Sequence, residues 1–444
     1  MLNSRSTAPR SGRHRKPKQA SPSLRRAVVL AVATPVAGIL LTAPSAFAAG
    51  KAAPKTGSAG LDPAEQRIAA HLNTRRQDPR LGSTLSGVVL DATSRKVVWG
   101  HDATTALMPA SNTKLATATA ALTVLGPTSR FTTKVVYGDG TVTLVGGGDR
   151  TLTTGDLDAL AQTAVAGLRH AGRTSVKVRV DDSLFPEPTL ATGWNDGYYP
   201  DSIAPVRALV VDGHHVTDTS LDAGAVFADL LAERGVTVVG DVTRGAAGSG
   251  DVTVGLHRSD QLSVVVQHML KVSDNDIAET LLRMTALHAG RPATFEDGTA
   301  VVRQVLAGYG ISLDHFLIHD GSGLSRANRI PARTIADILD LADSPAHART
   351  LRYIVDGLPV AGEAGSTLGP GWGRFDTADS RCAVGKVKAK TGTLTGAIAL
   401  SGFTKAADGR WKVFSFVENN SSAENAKITD AMDGLAATVD GCWA

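Results

Sequence analysis

Three short motifs constrain this chain most: Ser111-Asn112-Thr113-Lys114, Ser273-Asp274-Asn275 and Lys390-Thr391-Gly392-Thr393. Together they offer a hydroxyl nucleophile, an amine to take its proton, and a second cationic arm beside a strand glycine. A serine acyl-transfer enzyme that works without histidine needs that set, and a fold that uses it must join residues far apart in sequence. Singly, each motif is ordinary. Ser-x-x-Lys should occur about once by chance in a chain of this size, and a helix start with a surface lysine would explain it. Residues three apart share a helix face, however, so Ser111 and Lys114 can meet. The first turn also has free N–H groups and the positive end of the dipole. Ser273-Asp274-Asn275 falls between two expected helices, where an N-cap is the usual role. Lysine on a sheet edge is common. A strand glycine such as Gly392 instead marks close approach of a backbone or ligand, as when a peptide adds to the edge as a further strand.

The pattern around the motifs predicts their elements. Asp62-Pro63-Ala64-Glu65 opens a helix with a capping box. Residues 86–92 and 96–100 form a hairpin, and an Ala/Thr/Leu helix starts at residue 109 with Ser111 in its first turn. Residues 386–394, 397–404 and 411–418 form an antiparallel meander. Ser421-Ser422-Ala423-Glu424 offers another capping box, before a helix with Ile428, Met432, Leu435 and Val439 on one side. Residues 131–256 are strand-rich with Gly/Thr/Asp turns and one helix at 223–235. The fold class is α/β (α+β), with an antiparallel sheet flanked by helices and interrupted by a strand-rich inserted domain. The expected boundaries are a signal peptide at 1–48, a first part of the main domain at 49–130, the insertion at 131–256 and a second part at 257–444.

Residues 1–48 have eight basic residues and no acidic one, then an apolar run at 27–41 and a small-x-small site at Ala46-Phe47-Ala48. This predicts an export leader; an uncleaved anchor is the alternative. The chain carries 46 Lys+Arg and 42 Asp+Glu, formally +4. Without the leader, 38 basic residues face 42 acidic ones, a formal −4, so the basic balance belongs to the leader and excludes a nucleic-acid surface. Cys382 and Cys442 are the two cysteines. In an oxidising compartment they are candidates for a disulfide, with two buried thiols as the alternative.

The ordered triple resembles that of the penicillin-binding D-alanyl-D-alanine carboxypeptidases/endopeptidases of low molecular mass, class C. Leu144-Val145-Gly146-Gly147-Gly148-Asp149, Val272-Ser273-Asp274-Asn275-Asp276-Ile277-Ala278-Glu279 and Asp320-Gly321-Ser322-Gly323-Leu324-Ser325-Arg326 are similar to family segments. The resemblance implies a β-lactamase/transpeptidase-like domain interrupted between the first two motifs. Family members commonly nest a further domain in the interruption; here, across residues 211–225, it is either missing or reduced to a loop.

The resemblance implies that Ser111 attacks a D-Ala-D-Ala carbonyl, Lys114 takes its proton and Ser273 relays a proton to the leaving D-alanine. It implies that Asn275 holds the substrate amide and Lys114, while Lys390, Thr391 and Thr393, beside Gly392, bind the terminal carboxylate. Backbone N–H groups of Ser111 and Thr393 would form the oxyanion hole. A neutral Lys114 requires a pKa lowered from about 10.4 to roughly 7, by burial and the Lys390 charge. Arg326 and Asp196 are candidates for the carboxylate and amino groups of a stem-peptide side chain. The implied partners are peptidoglycan stem peptides, with β-lactams as covalent inhibitors and wall or membrane contact left open; no metal or organic cofactor is expected. A serine β-lactamase and an inactive wall-binding module are the alternatives. The long insertion and the lack of a Glu-x-x-Leu-Asn segment after Asn275 weigh against the first, and the intact motifs against the second.

Overall fold

The computed structural model describes residues 60–443. The leader expected at 1–48, and the linker up to residue 59, lie outside the described residues. Asp62 caps helix α1 (Pro63–Arg75), and its reciprocal bonds with Glu65 form the capping box. Strands β1 (Leu85–Asp91), β2 (Val97–His101) and β3 (Ala106–Leu107) lead to a 3₁₀ turn, Ala110–Asn112, and helix α2 (Thr113–Val124). The chain then builds a second sheet from β4 (Thr132–Gly138), β5 (Thr141–Val145), helix α3 (Thr154–His170), β6 (Ser175–Asp181), helix α4 (Thr219–Glu233), β7 (Thr237–Val238), β8 (Thr243–Arg244) and β9 (Val252–Arg258). It returns as helices α5 (Leu262–Val272), α6 (Asn275–His288) and α7 (Phe295–Gly308). After these come β10 (Ile330–Pro331), α8 (Ala332–Asp343) and α9 (Ala348–Asp356). Strands β11 (Lys388–Leu394), β12 (Ala397–Lys405) and β13 (Trp411–Asn419) and helix α10 (Asn425–Asp440) close the chain.

The main sheet runs β11-β12-β13-β1-β2, antiparallel throughout. Alternation along the strands sends side chains to two cores. Leu85, Val89, Ile398, Leu400, Phe414 and Phe416 meet α1 and α10, through Ile68, Leu72, Ile428, Met432, Leu435 and Val439. Val88, Leu90, Ala399, Phe403, Val413 and Val417 meet the helices on the other face. There α2 is buried from Thr113 to Leu122 and touches α5 through α9. Its alanines let neighbouring helices come close, and the buried Thr119 hydroxyl is satisfied by the Leu115 carbonyl within the helix. The nucleophile motif is therefore fixed to the rigid centre of the molecule.

The second sheet runs β7-β6-β5-β4-β9, with β8 beside β6. Its core includes Val135, Leu144, Val178, Phe227 and Leu231. Helix α3 was not expected, although Thr153 and Asp156 form a capping box and Leu157, Leu160, Ala164 and Leu168 repeat at helical spacing. Between β6 and α4 the chain leaves this sheet. Phe185, Trp194, Ile203 and Val206 pack in the helical core around α2, bringing part of the inserted stretch to the motifs.

The capping box expected at Ser421–Glu424 is absent. Glu424 occupies the N-cap position of α10 without a side-chain cap, and the Ser421 hydroxyl donates to the Arg80 carbonyl instead. Asp433 of α10 pairs with the buried Arg374 and accepts from the Phe375 N–H. A disulfide joins Cys382 to Cys442 with Cα atoms 6.1 Å apart, fastening the chain before β11 to the end of α10.

Glu418 on β13 is fully buried, and one carboxylate oxygen has no partner. Burial pushes its pKa up to about 7 from 4.5, against the Ser421 N–H that favours the anion. The folded state then holds a proton that the unfolded chain has released. Stability contributed by this site falls as pH rises from about 4.5 through 7. Glu418→Gln is therefore expected to exceed wild type in stability at about pH 8 by ~1–3 kcal/mol, and to lose that advantage near pH 4.5, in urea melts at both values.

Candidate active site

Ser111 lies in the 3₁₀ turn that precedes α2, one turn earlier than a simple helix start would place it. Ala110 takes φ +46°, a strained conformation for a residue with a side chain, in the turn that presents Ser111. Two glycines hold this turn. A Cβ on Gly392 would stand 2.7 Å from the Pro109 carbonyl oxygen, and one on Gly323 would stand 1.9 Å from that of Ala110. Gly392 was expected to admit a substrate backbone. The backbone it admits is the protein's own nucleophile turn.

Lys114 Nζ makes three contacts: Ser111 Oγ at 3.1 Å, Asn275 Oδ1 at 2.7 Å and the Ser322 carbonyl oxygen at 2.8 Å. The last two accept hydrogens only. A neutral amine that donates to both turns its lone pair toward the Ser111 hydroxyl. Lys114 is fully buried. Burial lowers its pKa to about 8, while Glu279, Asp274, Asp320 and Asp276 hold it up. Burial, which the sequence reading invoked, is thus the main lever, while the Lys390 charge it also invoked is not among the leading causes. The repulsion is felt at Lys390, which falls well below the usual lysine range, first through burial and then through Lys114.

The second motif divides its labour. Asp274, not Ser273 or Asn275, caps α6 by accepting from the Ile277 N–H at 2.7 Å. Ser273 ends α5 in the left-handed conformation, φ +65°. Its neighbours' backbone roles leave its hydroxyl to accept from Lys390 Nζ at 2.8 Å. Asn275 spans the site: its Oδ1 accepts from Lys114 and its Nδ2 donates to the Ser202 carbonyl at 2.9 Å.

The third motif lies on the edge strand β11. The Ala389 N–H donates to the Pro359 carbonyl, and the Val387 carbonyl accepts from the Ala361 N–H. Residues of this parity therefore point their backbone groups away from β12. By the same alternation Thr391 and Thr393 point theirs outward, beyond the segment that covers Val387 and Ala389. The Thr391 carbonyl accepts from Lys390 Nζ, and its hydroxyl meets that of Thr367 at 2.9 Å. Thr393 is exposed. Gly392 sits against Pro109 and Ala110, so the Thr393 edge amide and Ser111 belong to one site.

Arg326 and Asp196 lie on two loops joined by the Arg326 N–H to Gly193 carbonyl bond. Both are exposed; the Arg326 guanidinium donates to the Thr395 carbonyl at the tip of the β11–β12 hairpin, placing it beside the open edge. The Trp194 indole donates to the buried Asp320 carboxylate at 2.8 Å and anchors that loop. Ser322, Glu279, Thr367 and Ser202 were missed as site residues. Ser322 and Ser202 act through carbonyls, which no side-chain pattern encodes. Glu279 and Asp320 stood in segments already noted, and their burial was the missing signal. Outside the motifs, His214 Nδ1 lies 2.7 Å from Asp222 and His215 Nε2 lies 3.1 Å from Asp276, with both rings partly exposed.

Residues 68–219 and 213–439 match the D-Ala-D-Ala carboxypeptidase 3 (S13) family. The chain belongs to the S13 family. Carboxypeptidase DacB of Mycolicibacterium smegmatis is 32% identical over 407 residues, covering 86% of this chain and 85% of the relative. A D-alanyl-D-alanine carboxypeptidase of an Actinomadura species is 31% identical over 438 residues, covering 78% of this chain and 80% of the relative. The crystal structure of penicillin binding protein 4 from Haemophilus influenzae shares the fold, with TM-score 0.70 and 22% identity over 84% of this chain and 98% of that one. An S13 member is a serine-type peptidase, and the lysine-linked serines described above are the groups such chemistry requires.

In this S13 peptidase the seat of the nucleophile turn is testable. Gly392→Ala drives a Cβ against the Pro109 carbonyl. It is expected to lower the acylation rate by ~10²-fold, with the circular dichroism spectrum unchanged. A variant with wild-type rate would refute the seating role.

Proposed function

We propose that the protein is an exported serine D-Ala-D-Ala carboxypeptidase that cleaves peptidoglycan stem peptides through an acyl-enzyme at Ser111, with cross-link cleavage as a further activity of the same site. One observation carries this reading: Lys114 and Lys390 link all three motifs, Lys114 to Ser111 and Asn275, Lys390 to Ser273. Family membership supports the reaction class, and the leader expected at residues 1–48 supports export to where peptidoglycan lies.

Neutral Lys114 takes the Ser111 proton as Oγ attacks the carbonyl carbon of the penultimate D-alanine. The Ser111 and Thr393 amides receive the oxyanion. The carbon–nitrogen bond breaks, the proton held by Lys114 is relayed through Ser273 to the departing D-alanine amine, and an ester remains on Ser111. Water attacks the ester, the stem peptide leaves as a carboxylate, and Ser111 regains its proton. Lys390 and the Thr391 and Thr393 hydroxyls hold the terminal carboxylate, and Asn275 holds the substrate amide. A β-lactam opens by the same attack, but its amine stays tethered to the acyl group, so the ester persists. Residues 131–256 act as an inserted unit whose loop at Trp194 and Asp196 meets the substrate side chain together with Arg326.

Intact-protein mass spectrometry with penicillin is expected to show one adduct, abolished by Ser111→Ala. Absence of an adduct on wild type would favour a wall-binding module, and rapid penicillin turnover a β-lactamase. The base must be neutral, so acylation by penicillin is expected to rise with pH and to plateau above about 8. A rate independent of pH between about 6 and 9 would remove Lys114 from the base role. Arg326→Ala is expected to raise KM ~10-fold for stem peptides with a side-chain carboxylate, and to leave KM unchanged for peptides without one.

A further inference from the structure

Glu279 is fully buried on α6 and lies behind the site. Its carboxylate oxygens accept from the Gly321 N–H at 3.0 Å and the Ser322 N–H at 2.6 Å. The carbonyl of that same Ser322 accepts from Lys114 Nζ at 2.8 Å. One buried carboxylate thus holds, by its N–H, the residue whose carbonyl receives the base. We propose that Glu279 is a positioning residue for acylation: it fixes the Ser322 carbonyl against Lys114, and its buried charge sets how readily Lys114 releases and regains a proton. The proposal rests on the base role of Lys114 given above.

The surroundings leave Glu279 the strongest influence. Asp320, also fully buried, is committed to the Gly323 and Ser325 N–H groups, Asn328 and Trp194. Asp274 caps α6, and Asp276 pairs with Arg150 and His215. Arg283 lies one turn along α6, with its guanidinium 4.4 Å from the Phe295 ring centre, and Tyr199 is close enough to feel the charges of Arg283 and Glu279. Lys390, itself held below the usual lysine range, feels the charges of Lys114 and Arg374. Of these carboxylates Glu279 acts most strongly to keep Lys114 charged. Burial and Asp320 push Glu279 itself up to about 7, so it and Lys114 exchange protons over neighbouring pH ranges. The negative charge delays the release that readies the base, and it stabilises the ammonium formed as Ser111 attacks.

The test compares penicillin acylation rate against pH for wild type, Glu279→Gln and Thr117→Val. The Thr117 hydroxyl donates to the Gly321 carbonyl at 2.7 Å, so its removal loosens the same loop without changing charge. Glu279→Gln is expected to move the acid limb down by about one pH unit, with a plateau ~10-fold lower; Thr117→Val leaves the limb in place. An unmoved limb in Glu279→Gln, or an equal movement in both variants, overturns the proposal. If Glu279→Gln does not fold, ¹³Cε-lysine NMR of wild type decides. The Lys114 signal, assigned by its loss in Lys114→Arg, is expected to shift in two steps between about pH 5.5 and 9.5; a single step overturns the proposal. A wild type that forms no penicillin adduct would instead refute the peptidase reading itself.

Discussion

The structure depends on keeping an amine buried beside a serine. Lys114 has no exposed surface, and its nitrogen touches a hydroxyl, an amide oxygen and a peptide carbonyl drawn from three separate stretches of chain. An unpaired ammonium in that position would be expensive. The three acceptors make it tolerable, and burial makes it shed its proton easily. Much of the fold serves that balance. Helix α2 lies at the centre of its layer, α6 brings Asn275 and Glu279, and the loop at residues 320–326 turns a carbonyl inward. Displacing any of them leaves a buried polar atom without a partner.

The inserted stretch contributes to this arrangement as well as building a second sheet. Its chain between β6 and α4 leaves that sheet to bury Trp194 against Asp320 and to offer the Ser202 carbonyl to Asn275. Asp276 receives Arg150 and His215 from other parts of the same stretch. The stretch is therefore tied to the loop at residues 320–326 through Asp320 and to α6 through Asp276.

The sequence made the sheet and the motifs legible because both follow local rules. Strand alternation and turn residues outlined β11 to β13 within a few residues, and Asp62-Pro63 announced α1. The convergence of the motifs was legible because Ser, Lys and Asn have few reasons to recur in that order. What stayed hidden was decided by tertiary contact. Ser421 had the form of a cap but found the Arg80 carbonyl instead. Gly392 had the form of a ligand gap but is filled by Pro109. The Ser322 carbonyl has no signature in sequence at all. Helix α3 is different: its cap and its leucine spacing were readable, and the surrounding turn residues drew the eye to strands.

The segment at residues 359–361 runs along β11 as far as Ala389 and then departs. It fills the berth that a longer extended chain would occupy. A guest strand laid on the remaining edge can pair with Thr391 and Thr393, but it meets a wall of the protein's own backbone beyond them. The slot is thus blind at one end, and its length is counted in a pair of peptide units. The edge is therefore closed on the side of Ala389 and open on the side of Thr393. How much of the β11 edge stays open is in this sense a matter of parking space, set by where one segment of the protein leaves another.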